Sequence, residues 1–341
     1  MSKTIRSLLA IAGLGFATFV AAVTALAAKF WLLDLATFAW QYVVVTGIVL
    51  TLASVLMKSR WATAASLIGL LISMYPYVSA RTAAKTERCE LRVVTANLFI
   101  ENTSPPDRFL DFVRREQPDI LVLQETPDTW QDPIRGLAMF GYESTREIMA
   151  YDRVKVFSKL PITSEGPVSD TTIGTDFHKR PIRLQLGGWS RPLVLYAIHP
   201  ETPRSMDQWR ERNLHLATMA KVASQDAISS DVIVAGDWNT PSTSPFFNEA
   251  LAKGGLADAG SGNPFVTSRF SLKLYPFLLL GSTIDHVAVS GSLAVSDRRT
   301  GPMYGSNHLP VIVDVGRGKT SAVASPPVPR PGCGLQPGAG V

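Results

Sequence analysis

The sequence predicts an α/β protein with two packed sheets, helices on their outer faces, and three transmembrane helices in front. Three observations carry this expectation. Residues 7–28, 35–57 and 61–80 contain no Asp, Glu, Lys or Arg. From Leu91 to about Val315, short apolar runs alternate with Gly/Pro/Asn-rich turns, and only two stretches have clear helical spacing. Many strands with few helices favour paired sheets over a bundle. Several of the apolar runs also stop abruptly at a carboxylate, a carboxamide or an imidazole, which packing alone does not explain.

The three uncharged stretches are each long enough to cross a hydrocarbon core of about 30 Å as a helix. Lys3 and Arg6 precede the first, and Lys58 and Arg60 lie between the second and third. The other loop carries Lys29 offset by Asp34. An excess of basic residues marks the cytoplasmic side, so the N-terminus is expected inside and everything after residue 81 outside. Ala25-Leu26-Ala27 resembles a signal-peptide cleavage site, but cleavage there would leave the later topology unchanged. The expected organisation is a membrane anchor at 1–80, a linker at 81–90 and a soluble domain at 91–316. A Pro/Gly/Ser-rich tail, predicted to be disordered, occupies 317–341. The setting is then a multi-pass protein of the cell (inner) membrane with an extracytoplasmic, periplasmic domain.

The formal charge of +5 misleads as a sign of nucleic-acid binding. Residues 89–316 carry 22 Lys/Arg against 26 Asp/Glu, a net of −4. The excess of basic groups lies in the anchor, linker and tail, where topology and anionic headgroups account for it. Attraction to a phosphate backbone is therefore not encoded in the domain's net charge. Cys89 and Cys333 flank the domain, either as free thiols or as a disulfide in an oxidising setting. Neither belongs to a metal-type cluster.

Strand-like runs occupy 91–98, 119–125, 153–158, 181–186, 192–199, 231–236, 283–290 and 310–315. Asp107 to Gln117 reads as a helix stopped by Pro118, and residues 205–225 as a second helix with Trp209, Leu216, Met219, Ala220 and Ala223 on one side. Arg269 to Leu280 alternates apolar and polar residues as a half-buried strand would. Its end, Phe277 to Leu280, is also read as a lipid-contacting lip.

Val232-Ile233-Val234-Ala235-Gly236 runs into Asp237-Trp238-Asn239, and the same design recurs. Val93-Val94-Thr95-Ala96 ends at Asn97, Ile120-Leu121-Val122-Leu123 at Gln124-Glu125, and the run from Leu193 to Ile198 at His199. Asp285 opens one strand and His308 precedes another. Side by side, such strands would gather carboxylates, carboxamides and two imidazoles on one rim. Hard oxygen donors of this kind favour Mg²⁺ or Mn²⁺ over softer metals. Singly, a Glu at a strand end is a solvated edge and Asp-x-Asn a turn. Their ordered co-occurrence selects the catalytic reading. His178, His215 and His286 read as structural.

The ordered set Thr95-Ala96-Asn97-Leu98, Gln124-Glu125, Ser158-Lys159-Leu160-Pro161, His199-Pro200, Gly236-Asp237-Trp238-Asn239, Ile284-Asp285-His286-Val287 and Ser306-Asn307-His308-Leu309-Pro310 resembles the endonuclease/exonuclease/phosphatase superfamily. That superfamily takes in DNase I-like nucleases, inositol polyphosphate 5-phosphatases and neutral sphingomyelinases. The resemblance covers residues 91–315 and implies a four-layered α/β sandwich. It also implies that Glu125 binds Mg²⁺ or Mn²⁺ with Asn97 shaping the ligand sphere, and that Asp237 orients or deprotonates the attacking water. Asn239 would hold water or a phosphoryl oxygen, and His199 would contact the phosphoryl group. His308 would stabilise charge there or move a proton, with Asp285 fixing its tautomer. Arg180 resembles a phosphate-contacting arginine and reads equally well as a rim charge. Ser306-Asn307-His308 departs from the superfamily's Ser-Asp-His, which removes one potential charge from the metal site.

The expected function is a divalent-metal-dependent phosphoesterase using activated water, with no covalent enzyme intermediate. Its expected substrate is a phospholipid or small phosphate ester, and the alternative is extracellular DNA or RNA. A domain that only binds is disfavoured by the complete residue set. A small transporter is disfavoured by spans without intramembrane charge.

Overall fold

The computed structural model describes residues 3–145, 154–168, 180–260, 267–272 and 281–318. Three of its helical runs are long and apolar enough to cross a membrane: α1 (Lys3–Leu26), the run Trp31–Leu56, and α4 (Arg60–Val78). The second run begins as α2 (Trp31–Ala36) and passes through a 3₁₀ turn, Thr37–Ala39, into α3 (Trp40–Leu56). Phe16, Val20, Val23, Trp40 and Val44 form the apolar centre of this bundle. After it, the chain joins the sheets directly. Ala83 N donates to Asp258 O at 2.8 Å and Val295 N to Ala84 O at 2.8 Å, so residues 82–85 lie along two edge strands.

Two six-stranded sheets follow. The first runs in the order β13 (Leu293–Thr300), β14 (Val311–Arg317), β1 (Leu91–Asn97), β2 (Ile120–Gln124), β4 (Lys155–Ser158), β3 (Tyr142–Glu143). The second runs β5 (Ile162–Pro167), β6 (Ile182–Leu186), β7 (Leu193–Ile198), β8 (Asp231–Asp237), β12 (Asp285–Ser290), β9 (Leu256–Asp258). A short pair, β10 (Arg269–Phe270) with β11 (Gly281–Ser282), stands beside them.

Successive strand side chains point to opposite faces, and the continuous apolar runs are explained by burial of both faces. Val93 and Leu195 enter the core between the sheets. Val94 faces α5 (Asp107–Glu116) and α6 (Asp128–Arg135), and Tyr196 faces α7 (Met206–Ser229) and α8 (Pro245–Gly254). The architecture is thus the expected four-layered sandwich of helices, sheet, sheet, helices.

Register sets the position of the functional rim. β1 and β2 are parallel with Asn97 opposite Gln124, and β7 and β8 are parallel with Ile198 opposite Gly236. β12 runs antiparallel to β8 and starts with Asp285 opposite Asp237. The polar residues predicted at strand ends therefore emerge at one end of both sheets.

The eight predicted strands and both helices are present, with shifted ends. Gln117, the expected last residue of α5, instead caps it in a left-handed conformation (φ 51°). Helix α7 continues to Ser229 because Ala227, beyond the expected end, still packs against the core. Two helices escaped the reading. Pro133 inside α6 hides its pattern, and α8 is announced only by Ser244, which caps it, and Pro245 in its first turn. β5 and β13 escaped because half-exposed edge positions let polar residues such as Glu165 and Arg298 interrupt the apolar alternation. In the Arg269–Leu280 stretch only Arg269–Phe270 form strand among the described residues, and Leu272 is exposed. The proposed lip at Phe277 to Leu280, His178, and the tail beyond Gly318 lie outside the described residues. Cys89 is disulfide-bonded, and Cys333 lies outside the described residues as well.

Candidate active site

Asn97 sits at the centre of the rim. Its Nδ2 donates to Glu125 Oε1 and to Asp237 Oδ2, each at 3.1 Å, and so joins the last residues of three strand ends. Its own orientation is fixed by Phe99 N, which donates to Asn97 Oδ1 at 2.9 Å. The backbone carbonyl of Asn97 accepts from Tyr304 Oη at 2.9 Å and from Ser306 Oγ at 2.7 Å. Neither Tyr304 nor Ser306 was singled out for this task from the sequence. Ser306 lay inside a recognised motif, and its proximity to His308 was the available signal.

Two imidazoles flank this centre. His199 Nε2 lies 3.4 Å from Glu125 Oε1 and 3.8 Å from Asp237 Oδ2. His308 presents Nε2 to Asp237 Oδ2 at 3.8 Å, while its Nδ1 meets both oxygens of Asp285 at 3.1 and 2.9 Å. Asp285 is held in turn by Ser268 Oγ, which accepts the backbone N–H groups of Ile284 and Asp285 at 3.0 Å each. Ser268 is a supporting residue that sequence reasoning missed. Nothing local in Thr267-Ser268-Arg269 reveals a partner sixteen positions away.

Asn239 completes the rim. Its N–H donates to Asp237 Oδ1 at 2.9 Å, and its Nδ2 gives one of its two hydrogens to Pro200 O at 3.0 Å. Glu125 and Asn239 both adopt left-handed backbone conformations, with φ 50° and 47°. Residues with side chains rarely do so, and such strain persists only where surrounding contacts over-determine it. Just before Asp237, Gly236 (φ 155°) passes so close to β7 that a Cβ would lie 1.9 Å from Ile198 O. Only glycine lets β8 deliver Asp237 at that height.

Burial and mutual charge tune these groups. Burial raises the Glu125 carboxyl, but the His199 and Asn97 hydrogen bonds and the two imidazoles outweigh it and hold it well below the usual range. Asp237 moves the other way: burial, and then the Asp285 charge, raise it despite both imidazoles. Burial lowers the His308 imidazolium, and the surrounding Asp285, Asp237 and Glu125 more than compensate, so its pKa is raised. The arrangement is a buried carboxylate with enhanced proton affinity beside an imidazole whose proton affinity is also raised.

Three carboxylates and two imidazoles leave the cluster electron-rich, and a divalent cation fits it. Asp237, Asp285 and His308 each offer one ligand atom within 4.8 Å of the others. Asp285 spends both oxygens on His308 Nδ1, however, whereas Glu125 Oε2 has only a long contact with Ile100 N at 3.4 Å. The more open hard donor is therefore Glu125.

Arg180 is half-buried, and no hydrogen bond or ion pair joins it to the described cluster. Extending the β6–β7 register from Ile182 opposite Ala197 brings it level with His199. His286 is structural, as expected. Its Nε2 lies 3.0 Å from Thr240 O, and its ring packs on Phe247 and Trp238. His215 is buried within α7.

A model described as the Endonuclease/Exonuclease/phosphatase family matches residues 94–308, more than half of the chain. No curated protein matches. Among solved structures, the chain is similar to sphingomyelinase C from Streptomyces griseocarneus, with 20% identity and a TM-score of 0.48 over 65% of this chain and 98% of that one. It is also similar to an endonuclease/exonuclease/phosphatase from Beutenbergia cavernae DSM 12333, with 19% identity and a TM-score of 0.49 over 68% of this chain and 72% of that one.

Proposed function

Because the chain belongs to the endonuclease/exonuclease/phosphatase family, we propose that it is a membrane-anchored, extracytoplasmic, Mg²⁺- or Mn²⁺-dependent phosphoesterase that attacks its substrate with activated water. The observation that carries this reading is the convergence on Asp237. Asn97, His199 and His308 all approach its Oδ2, and its Oδ1 is fixed by Asn239 N–H.

Glu125, with Asn97 holding one of its oxygens, would bind the ion. When bound, the ion would supply positive charge to the phosphoryl oxygens as negative charge accumulates there. Asp237 would take the proton of the attacking water, a role suited to a carboxylate whose pKa is raised. His308, charged and fixed at Nδ1 by Asp285, would offer Nε2–H to a phosphoryl oxygen. His199 would add a second donor, and the free hydrogen of Asn239 Nδ2 a third. Ser268 and Ser306 accept backbone N–H groups rather than facing a base. Direct attack by water therefore suits this site better than a covalent enzyme intermediate.

The favoured substrate is a phospholipid or another phosphate ester at the membrane surface. The loop joining α1 to α3 packs against the segments that carry His199, Asn239 and Asp285. Trp31 Nε1 donates to Pro203 O at 2.9 Å, Thr243 Oγ1 to Thr37 O at 2.9 Å, and Ser282 Oγ to Phe38 O. The site would thus open beside the bilayer, and the net acidic soluble part offers no general attraction for nucleic acid.

The test is hydrolysis by the purified full chain in Mg²⁺ buffer, with and without EDTA, against phospholipid vesicles and plasmid DNA, using Asp237→Ala as control. Metal-dependent release of headgroup or phosphate from lipid is expected. Cleavage of DNA alone would replace this reading with a surface-tethered nuclease. Hydrolysis equal to the Asp237→Ala control on both would remove it.

A further inference from the structure

We propose that Asp34, in α2 at the start of the second apolar run, is a positioning residue for the catalytic segment 237–239, acting through Arg212; this inference rests on the proposed phosphoesterase reading. Asp34 and Arg212 stand 178 positions apart, and both side chains are fully buried. Arg212 Nη2 meets Asp34 Oδ2 at 2.5 Å, and Arg212 Nη1 donates to the backbone carbonyl of Asn239 at 3.3 Å. The guanidinium thus bridges an anchor carboxylate and the strained residue two positions after Asp237.

The carboxylate is saturated by the soluble part. Trp209 Nε1 donates to Oδ2 at 3.0 Å, and Ser244 Oγ donates to Oδ1 at 2.6 Å. Ser244 also caps α8, the helix that follows the catalytic segment. Two adjoining contacts, Gln41 of α3 with Gly281 O and Phe38 O of the 3₁₀ turn with Ser282, attach the same helical run to the strand preceding Asp285.

A buried ion pair of this kind is poor evidence for stability alone, since an apolar replacement of equal volume serves as well. Its geometry serves a different end. Asn239, at φ 47°, has its N–H, side chain and carbonyl all engaged, and Arg212 engages the carbonyl. Without the Asp34 charge, a buried guanidinium has no counter-ion. It must draw in water or turn away, and the Asn239 carbonyl then loses its donor. Three spans also place the loop after the first span and the domain after the third on one side of the membrane. The soluble part can therefore dock on its own anchor.

The experiment uses the full chain in nanodiscs, with bis(4-nitrophenyl) phosphate as a soluble substrate that does not depend on access to lipid. Asp34→Asn is expected to lower kcat by about 10- to 100-fold, the effect of a displacement near 1 Å, with KM within about twofold. Asp34→Glu should restore part of the loss. Trp31→Phe, which removes a neighbouring docking contact only, should keep wild-type kcat. Hydrogen exchange should quicken in Asp34→Asn at 237–244 and stay unchanged at 193–198.

Should Asp34→Asn fail to fold, the apolar pair Asp34→Leu/Arg212→Met decides, and it is expected to fold with the same loss of kcat. Wild-type kcat and exchange in a folded Asp34 variant would overturn the proposal. If the wild-type chain hydrolyses no phosphate ester, the functional reading fails, and exchange at 237–244 alone decides whether Asp34 holds that segment.

Discussion

Asp285 meets His308 Nδ1 with both carboxylate oxygens, at 3.1 and 2.9 Å, and leaves Nε2 turned toward Asp237. This gathers three ionisable groups in one cluster, with the imidazole in contact with both carboxylates. The pKa of the imidazole is raised because both neighbours favour its charge, and that of Asp237 is raised by burial first and then by the nearby Asp285 charge.

Replacement of Asp285 by Asn should lower kcat by about 10²–10⁴-fold through loss of the correctly oriented, charged imidazole. NMR of the His308 ring checks the cause, since its pKa should fall in the variant. An unchanged imidazole titration would show that Asp285 does not set it.

The pH profile of kcat/KM should be bell-shaped. Asp237 must be ionised to act as base, and its pKa is raised by burial and by Asp285, so the acid limb should lie above the usual carboxylate range. His308 must be protonated, and its pKa is raised above 6.5, so activity should fall only as pH rises past that value. The sign for stability follows from the same shift. A histidine with raised folded-state pKa stabilises fully below its unfolded pKa, and the contribution disappears as pH rises through the folded one. In Asp285→Asn both limbs should move to lower pH.

Asp237→Ala and His308→Ala should each lower turnover by about two or more orders of magnitude while leaving the fold intact. Both side chains end a strand or lie beyond one, so neither fills the core between the sheets. Wild-type turnover in either, with circular dichroism unchanged, would place the chemistry elsewhere.

Chelation by EDTA should abolish activity, and Mg²⁺ or Mn²⁺ should restore it. Glu125→Gln should raise the metal concentration needed for half-maximal activity, because it removes the charge from the most open oxygen donor. Calorimetric titration with Mn²⁺ gives the same comparison without substrate.

Gly236→Ala should destabilise the protein by about 3 kcal/mol or more, since the new Cβ would meet Ile198 O and neither backbone can yield cheaply. Thermal unfolding measures it. A stable variant would show that β8 can slide, and its kcat would then report how far Asp237 moved.

Much of this molecule was legible because its signals are local. A strand buried on both faces must be written as an unbroken apolar run, so a carboxylate at its end stands out, as Asp237, Glu125 and Asn97 do. The three long apolar runs were legible for a similar reason: a charge is costly in hydrocarbon, and its absence over about twenty residues is visible without any structure. Edge strands carried no such mark, because β5 and β13 need bury little and accept Glu165 and Arg298.

What the sequence determined by itself was the set of buried central strands, their order of polar endings, the three apolar runs and so the inventory of the candidate site. What the tertiary structure decided was which of these groups meet. It joined Asp237 to Asp285 by antiparallel register, Asn97 to Tyr304 and Ser306 across the rim, and Asp34 of α2 to Arg212 of α7. The division has one physical cause. Burial acts on each residue through its own solvation and leaves a trace in local composition. A hydrogen bond or ion pair between distant positions depends on two backbones arriving at the same place, and neither side of the pair records where the other will be.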